Sequence, residues 1–122
     1  MKRVLIVDDD EDLLEMVDHI VRSHDLATKC INTGAAVMGN LEDQSFDLIL
    51  MDVFLGDSDG RQLSYQIKHD PRFMHIPIIL YSAATLDPGL LEQSLAEEFL
   101  QKPFDMHDLI ERINNLLSQK RA

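Results

Sequence analysis

The chain has 122 residues, 45% of them hydrophobic, which suffices for one folded domain with one core and leaves no room for a second. Its formal net charge of −11 disfavours binding to nucleic acid and to anionic membrane surfaces. The single cysteine, Cys30, excludes an internal disulfide. No apolar stretch has the length of a membrane span or the form of a signal peptide. We therefore expect a cytoplasmic protein that contacts neither a membrane nor nucleic acid.

Strand-like and helix-like patterns alternate through the first half of the chain. The continuously apolar residues 4–7 predict a central strand covered on both faces, and apolar residues at helical spacing follow. Residues 26–31 predict a weak edge strand, and Thr33 is placed to cap a short second helix. Residues 46–51 predict another buried strand.

The second half of the chain continues this alternation. A turn-forming segment that needs only Gly60 for its bend leads into a third helix. Residues 76–81 predict the fourth strand, and residues 98–101 predict the fifth after a short helix. Asp105 is expected to cap the last helix, whose apolar stripe is the clearest in the sequence. Five β-α units of this kind predict a single doubly wound α/β domain over residues 1–122.

Polar residues follow four of the predicted strands at the points where those strands end. They are Asp8, Asp9, Asp52, Ser82 and Lys102. Because the carboxyl ends of parallel strands meet at one edge of a sheet, we expect these side chains to form one site. Packing alone gives no reason to gather three carboxylates there. A divalent cation and a phosphoryl group would give one.

Four short motifs resemble the receiver domains of two-component response regulators. They are Val7-Asp8-Asp9-Asp10, Leu50-Met51-Asp52 with Gly60 following, Tyr81-Ser82-Ala83 and Lys102-Pro103-Phe104. Each motif is weakly specific alone, but their order and spacing together are specific, and the resemblance covers nearly the whole chain. It implies a flavodoxin-like five-stranded parallel sheet in the order 2-1-3-4-5, with helices on both faces. It also implies that Asp52 accepts a phosphoryl group from a histidine kinase or phosphotransfer protein, and that Lys102-Pro103 is a cis peptide.

The chemistry of the residues agrees with this resemblance. Carboxylates that lie close together raise one another's pKa unless a cation neutralises them. A hard cation with oxygen ligands and retained waters, Mg²⁺, fits such a group best. We expect Asp9 and Asp52 to bind it directly, Asp8 to act through water, and the backbone carbonyl of Phe54 to be a further ligand.

Distinct roles are expected for the other site residues. Asp52 would be a carboxylate nucleophile, and Lys102 would bind phosphoryl oxygens as a mobile point charge. Ser82 would donate a hydrogen bond to a phosphoryl oxygen once that group has arrived. Phe99 stands where the family usually has tyrosine or phenylalanine, so Ser82 and Phe99 are the expected switch pair. The surface around Phe99 would then contact a downstream protein.

Several neighbouring residues are interpreted as local structure. Asp10 lies where a helix cap is expected, and Asp57 and Asp59 are turn formers. Gly56 stands where a proline is frequent in the family, so we expect a less rigid loop after Asp52.

Two other functions fit parts of the same pattern. Asp8 and Asp10 have the spacing of haloacid-dehalogenase-type phosphatases, in which Asp8 would be the nucleophile. The short chain and the absence of a further paired acidic motif oppose that interpretation, which also leaves Asp52 without a role. A receiver-like binding module that never reacts is opposed by the presence of every reacting group. The preferred interpretation is a stand-alone receiver with no output domain.

Overall fold

The computed structural model describes residues 1–85 and 87–119. The strands in this part of the chain are β1 (Arg3–Val7), β2 (Ala27–Ile31), β3 (Leu48–Asp52), β4 (Ile78–Ser82) and β5 (Glu98–Gln101). The α-helices are α1 (Glu11–Arg22), α2 (Val37–Asp43), α3 (Gly60–Lys68), α4 (Pro88–Gln93) and α5 (Met106–Ser118), and a short 3-10 helix (Gly34–Ala36) precedes α2. The strands are all parallel and lie in the order β2-β1-β3-β4-β5. The expected flavodoxin-like sheet is therefore confirmed.

The sheet separates two apolar layers, each covered by helices. Residues of α1 and α5, such as Val17 and Ile113, pack on one face. Residues of α2 and α3, such as Leu41 and Ile67, pack on the other. Every residue of β3 and β4 is buried, as continuous apolar runs predict for central strands. Each fully buried aliphatic side chain of this kind stabilises the fold by about 1.5–3 kcal/mol.

The central strands β3 and β4 begin two residues later than predicted but end at the expected edge. Strand β4 begins at Ile78 because Pro77 has no amide hydrogen to donate, although its carbonyl still accepts a hydrogen bond from Ile49 at 3.0 Å. Asp52 and Ser82 are the last residues of β3 and β4. Both side chains are therefore held at the carboxyl edge of the sheet by strands that are buried throughout.

In the described part of the chain, aspartate side chains cap the first turns of four α-helices, two as predicted (Asp10 and Asp105) and two, Asp59 and Asp87, where no cap was predicted. Asp10, Asp59 and Asp105 accept hydrogen bonds from the first-turn amides of α1, α3 and α5. Thr33 makes no side-chain cap, so that prediction is wrong. Asp57 instead accepts from the amides of residues 34 and 35, at 2.9 and 3.0 Å. A carboxylate distant in sequence removes the need for a local cap.

Candidate functional site

Three carboxylates meet at the carboxyl edge of the sheet. Asp8, Asp9 and Asp52 each offer an oxygen within 4.8 Å of the other two. Asp8 and Asp52 are buried, whereas Asp9 is exposed. Three convergent carboxylate oxygens are the donor set that a hard divalent cation such as Mg²⁺ prefers, so these residues fit that ion.

An ammonium group lies beside the same carboxylates. The Nζ atom of Lys102 is 2.8 Å from Oδ2 of Asp52 and 3.7 Å from Oδ2 of Asp8. The backbone amide of Lys102 donates to the carbonyl of Ser82 at 2.8 Å, which places the lysine at the end of β4. The Lys102-Pro103 peptide is cis, as the resemblance implied. The structure thus brings Lys102 to the aspartates that sequence reasoning grouped with it.

Asp8 is fully buried and is held at both of its oxygens. Its Oδ1 accepts from the amide of Asp10 at 2.9 Å, and its Oδ2 accepts from the hydroxyl of Tyr81 at 2.9 Å. Burial raises the pKa of Asp8 above its usual 3.8, while the two hydrogen bonds and Lys102 oppose the rise. Burial, reinforced by the charge of Asp8, also raises the pKa of Tyr81 well above 10. The tyrosine is therefore a neutral donor to this carboxylate.

Tyr81 is the site residue that sequence reasoning missed. It appeared in an apolar strand and in the Tyr81-Ser82-Ala83 motif without a role of its own, although its identity carried a usable signal. A hydroxyl in the middle of a buried strand needs a hydrogen-bond partner. The strand alternation of Tyr81 and Ser82 also places their side chains on opposite faces of the sheet.

Backbone geometry fixes Asp52 next to the start of α3. Its Oδ1 accepts from the amide of Phe54 at 3.0 Å. A Cβ atom on Gly60 would overlap the carbonyl oxygen of Asp52, so Gly60 is needed for this close approach rather than for the predicted bend. The bend in the preceding loop is at Gly56, whose φ of +79° is closed to proline.

Phe54 directs its side chain to the surface. The ring is 50% exposed, and the guanidinium carbon of Arg61 lies 5.7 Å from its centre. Arg61 is in turn paired with Asp59 at 2.7 Å. That guanidinium lowers the pKa of the Asp59 carboxyl below its usual 3.8. Asp59 therefore serves the start of α3 and its arginine, as the local-structure interpretation expected.

The two expected switch residues lie on neighbouring strands. Ser82 is fully buried, and its Oγ accepts from the amide of Ala84 at 3.1 Å, which leaves its hydrogen to donate elsewhere. Phe99 is partly buried and packs in the layer beneath α2 and α3. Lys102 instead lies 5.2 Å from the ring centre of Tyr81, on the opposite layer. Phe99 and Lys102 thus face different sides of the sheet.

Comparison with known proteins identifies the family. A model of the response regulator receiver domain matches residues 4–114. The chain belongs to this family. Receiver domains are the signalling domains of two-component systems, and response regulators interact with histidine kinases and with downstream effectors. The phosphatase alternative finds no support in these comparisons.

Named relatives share both sequence and fold with the chain. It is 31% identical to the heme response regulator HssR of Staphylococcus epidermidis, over 96% of this chain and 52% of that protein. It is 29% identical to the DNA-binding response regulator MtrA of Mycobacterium leprae, over 92% of this chain and 49% of that protein. A receiver domain of a signal transduction histidine kinase from Syntrophus aciditrophicus is 30% identical, with a TM-score of 0.89 and coverage of 100% and 95% of the two chains. The chain therefore spans about half the length of the curated relatives it matches.

No helix in the described residues is both long and apolar enough to cross a membrane.

Proposed function

We propose that Asp52 is the phosphoacceptor of this receiver domain and that its phosphorylation requires Mg²⁺. The observation that carries the proposal is the position of Asp52 between the Lys102 ammonium and a group of carboxylates that suits a cation. Its Oδ2 contacts the Lys102 ammonium at 2.8 Å, and its carboxylate is part of the group with Asp8 and Asp9 that suits a cation. Asp8 differs because it is fully buried and its Oδ2 is bound by the Tyr81 hydroxyl, whereas Oδ2 of Asp52 is bound by the Lys102 ammonium, which can move to a phosphoryl oxygen.

The reaction follows from these positions. An Asp52 oxygen attacks phosphorus, the bond from phosphorus to the donor's imidazole nitrogen breaks, and that nitrogen leaves with the electron pair. Mg²⁺ bound by Asp8, Asp9, Asp52 and the Phe54 carbonyl would neutralise charge between the carboxylates and the incoming oxygens. Lys102 is close enough to move from Asp52 to a phosphoryl oxygen. Ser82 would donate a hydrogen bond from its hydroxyl to another phosphoryl oxygen. The protein thereby catalyses only the gain and loss of its own phosphoryl group.

The proposal includes partners and location. A histidine kinase or phosphotransfer protein donates the phosphoryl group, and a downstream protein binds the surface around Phe99 when the switch pair Ser82 and Phe99 rearranges. The protein acts in the cytoplasm, and its net charge of −11 supports action without direct nucleic-acid contact. A receiver domain over residues 1–122 remains our prediction.

Mass spectrometry with a small phosphodonor tests the acceptor. Incubation with phosphoramidate and Mg²⁺ should add one phosphoryl group, mapped to Asp52. Asp52→Asn should abolish labelling, whereas Asp57→Asn, an exposed aspartate in the same loop, should label like the wild type. Labelling that persists in Asp52→Asn and disappears in Asp8→Asn would contradict the proposal, as would sustained turnover of p-nitrophenyl phosphate.

A further inference from the structure

Tyr81 connects the carboxylates to the layer beneath α5. Its side chain is fully buried, and its hydroxyl donates to Oδ2 of Asp8 at 2.9 Å. The ring meets that of Phe104 edge-on, with centres 5.5 Å apart, and the Lys102 ammonium lies 5.2 Å from the ring centre. Contacts on several sides therefore fix where the hydroxyl points.

If Tyr81 only packed the apolar core, its hydroxyl would not be needed. Phenylalanine would make the same contact with Phe104, and burying a phenol costs free energy unless its hydroxyl is hydrogen-bonded. The bond to Asp8 compensates for that cost. The hydroxyl thus has a specific partner, and this partner belongs to the group of carboxylates that suits a cation.

The two bonds to Asp8 fix the plane of its carboxylate. Oδ1 is held by the amide of Asp10 and Oδ2 by Tyr81. Each carboxylate oxygen can accept more than one hydrogen bond, so both retain capacity for a water bound to the ion. Partners of this kind orient metal-binding carboxylates, and their loss commonly weakens metal affinity tenfold or more.

We propose that Tyr81 is a positioning residue that holds Asp8 in the orientation needed for Mg²⁺ binding. The inference rests on the proposed function, because it takes Mg²⁺ to be the ion of this site. It assigns to the residue before Ser82 a role in the site itself, separate from the role of Ser82 toward the phosphoryl group.

The tyrosine content of the chain allows a direct test. There are two tyrosines and no tryptophan, so Tyr65→Phe makes Tyr81 the sole source of tyrosine fluorescence. Tyr65 is half-exposed on α3, where it stacks on His69 with ring centres 4.0 Å apart, so Tyr65→Phe is also the matched loss of a hydroxyl outside the site. In this variant, titration with Mg²⁺ alone should change the Tyr81 emission.

The affinity for Mg²⁺, measured by calorimetry, supplies the second readout. We expect Tyr81→Phe to weaken binding about tenfold, and Tyr65→Phe to leave it unchanged. Urea unfolding in EDTA establishes that each variant is folded before titration. These measurements do not depend on phosphorylation.

The outcomes separate the inference from the proposal beneath it. Wild-type protein that binds no Mg²⁺ would overturn the proposed metal site. Wild-type binding with an equal affinity in Tyr81→Phe would overturn the positioning role alone. If Tyr81→Phe does not fold, the Tyr65→Phe variant decides instead. Tyr81 fluorescence that does not change at saturating Mg²⁺ in that variant would overturn the positioning role.

Discussion

At the scale of single residues, the site sets the mutual repulsion of three carboxylates against a few hydrogen-bond donors and one ammonium group. Asp8 and Asp52 are buried within reach of one ammonium, and Asp9 completes the group from the exposed side. Because Asp9 is exposed, its removal should leave the core intact. Its carboxylate is therefore the one whose contribution to metal binding is most easily isolated.

We expect Mg²⁺ to stabilise the wild-type protein and to stabilise Asp9→Ala much less. At ten times its dissociation constant, an ion that binds only the folded state adds roughly 1.4 kcal/mol to the free energy of unfolding. Thermal unfolding with and without Mg²⁺ measures the effect. Asp12→Ala removes an exposed carboxylate from the first turn of α1 and should respond to Mg²⁺ like the wild type. Equal stabilisation of wild type and Asp9→Ala would show that Asp9 is not a ligand.

Cys30 should be an unreactive thiol. Burial raises its pKa from 9.0 to about 12, and the neighbouring Asp18 carboxylate adds to the rise. Between these two values the folded protein binds more protons than the unfolded chain, so its free energy of unfolding falls as the pH increases through that window. At pH 8 we expect native Cys30 to react with Ellman's reagent about tenfold or more slowly than in urea.

Substitution at Asp18 separates the effect of its negative charge on Cys30 from the effect of restricted reagent access to the thiol. Asp18→Asn keeps an acceptor for the Thr28 hydroxyl but removes the negative charge, so native Cys30 should react faster. Glu15→Gln removes an exposed charge from the same helix and should have no such effect. If Asp18→Asn left the reaction rate unchanged, the slow reaction would be due only to restricted access of the reagent to the Cys30 thiol.

At the scale of elements, the sequence predicts best those helices and strands whose formation depends on residues close together in the chain. The apolar runs of β3 and β4 and the stripe of α5 were recognisable because burial on both faces, or on one stripe, dictates composition. Their polar ends predicted which side chains meet. The start of the 3-10 helix before α2 was not predictable in the same way, because its amides are satisfied by Asp57 from another loop. The bond from Tyr81 to Asp8 was hidden for the same reason, since it joins different strands.

Phosphorylation should alter α4 and β5 as well as the loops of the site. Phe99 lies beside a cleft of about 170 Å³ that Leu80, Leu91 and Ala96 also line, so its ring has room to move. A ligand shifts such an equilibrium only by its different affinity for the two forms. With beryllofluoride and Mg²⁺, amide NMR shifts should extend through residues 87–99.

The Ser82 hydroxyl provides the control for that experiment. Ser82→Ala should still bind beryllofluoride but should confine the shift changes to the loops that follow β3 and β4. If wild-type changes were confined in the same way, no switch would reach Phe99.

At the scale of the whole molecule, charge sets what the chain binds. Its net charge of −11 should repel the phosphate backbone, although relatives of about twice its length include a DNA-binding regulator. We expect these 122 residues to show no binding to duplex DNA in fluorescence anisotropy at low salt. Saturable binding that weakens as salt increases would contradict this prediction. A peptide of matched size and opposite charge serves as the positive control.

The contact of Asp57 with the 3-10 helix before α2 constrains how the chain can vary in length. Its carboxylate is bound to residues 34 and 35, while Gly60 lies against the backbone of Asp52. A side chain on Gly34 would overlap Ser58, so the two loops also touch directly. One inserted or deleted residue between Asp52 and Asp57 would break these contacts together. Insertions among related sequences should therefore spare this segment and collect in connections at the opposite edge of the sheet.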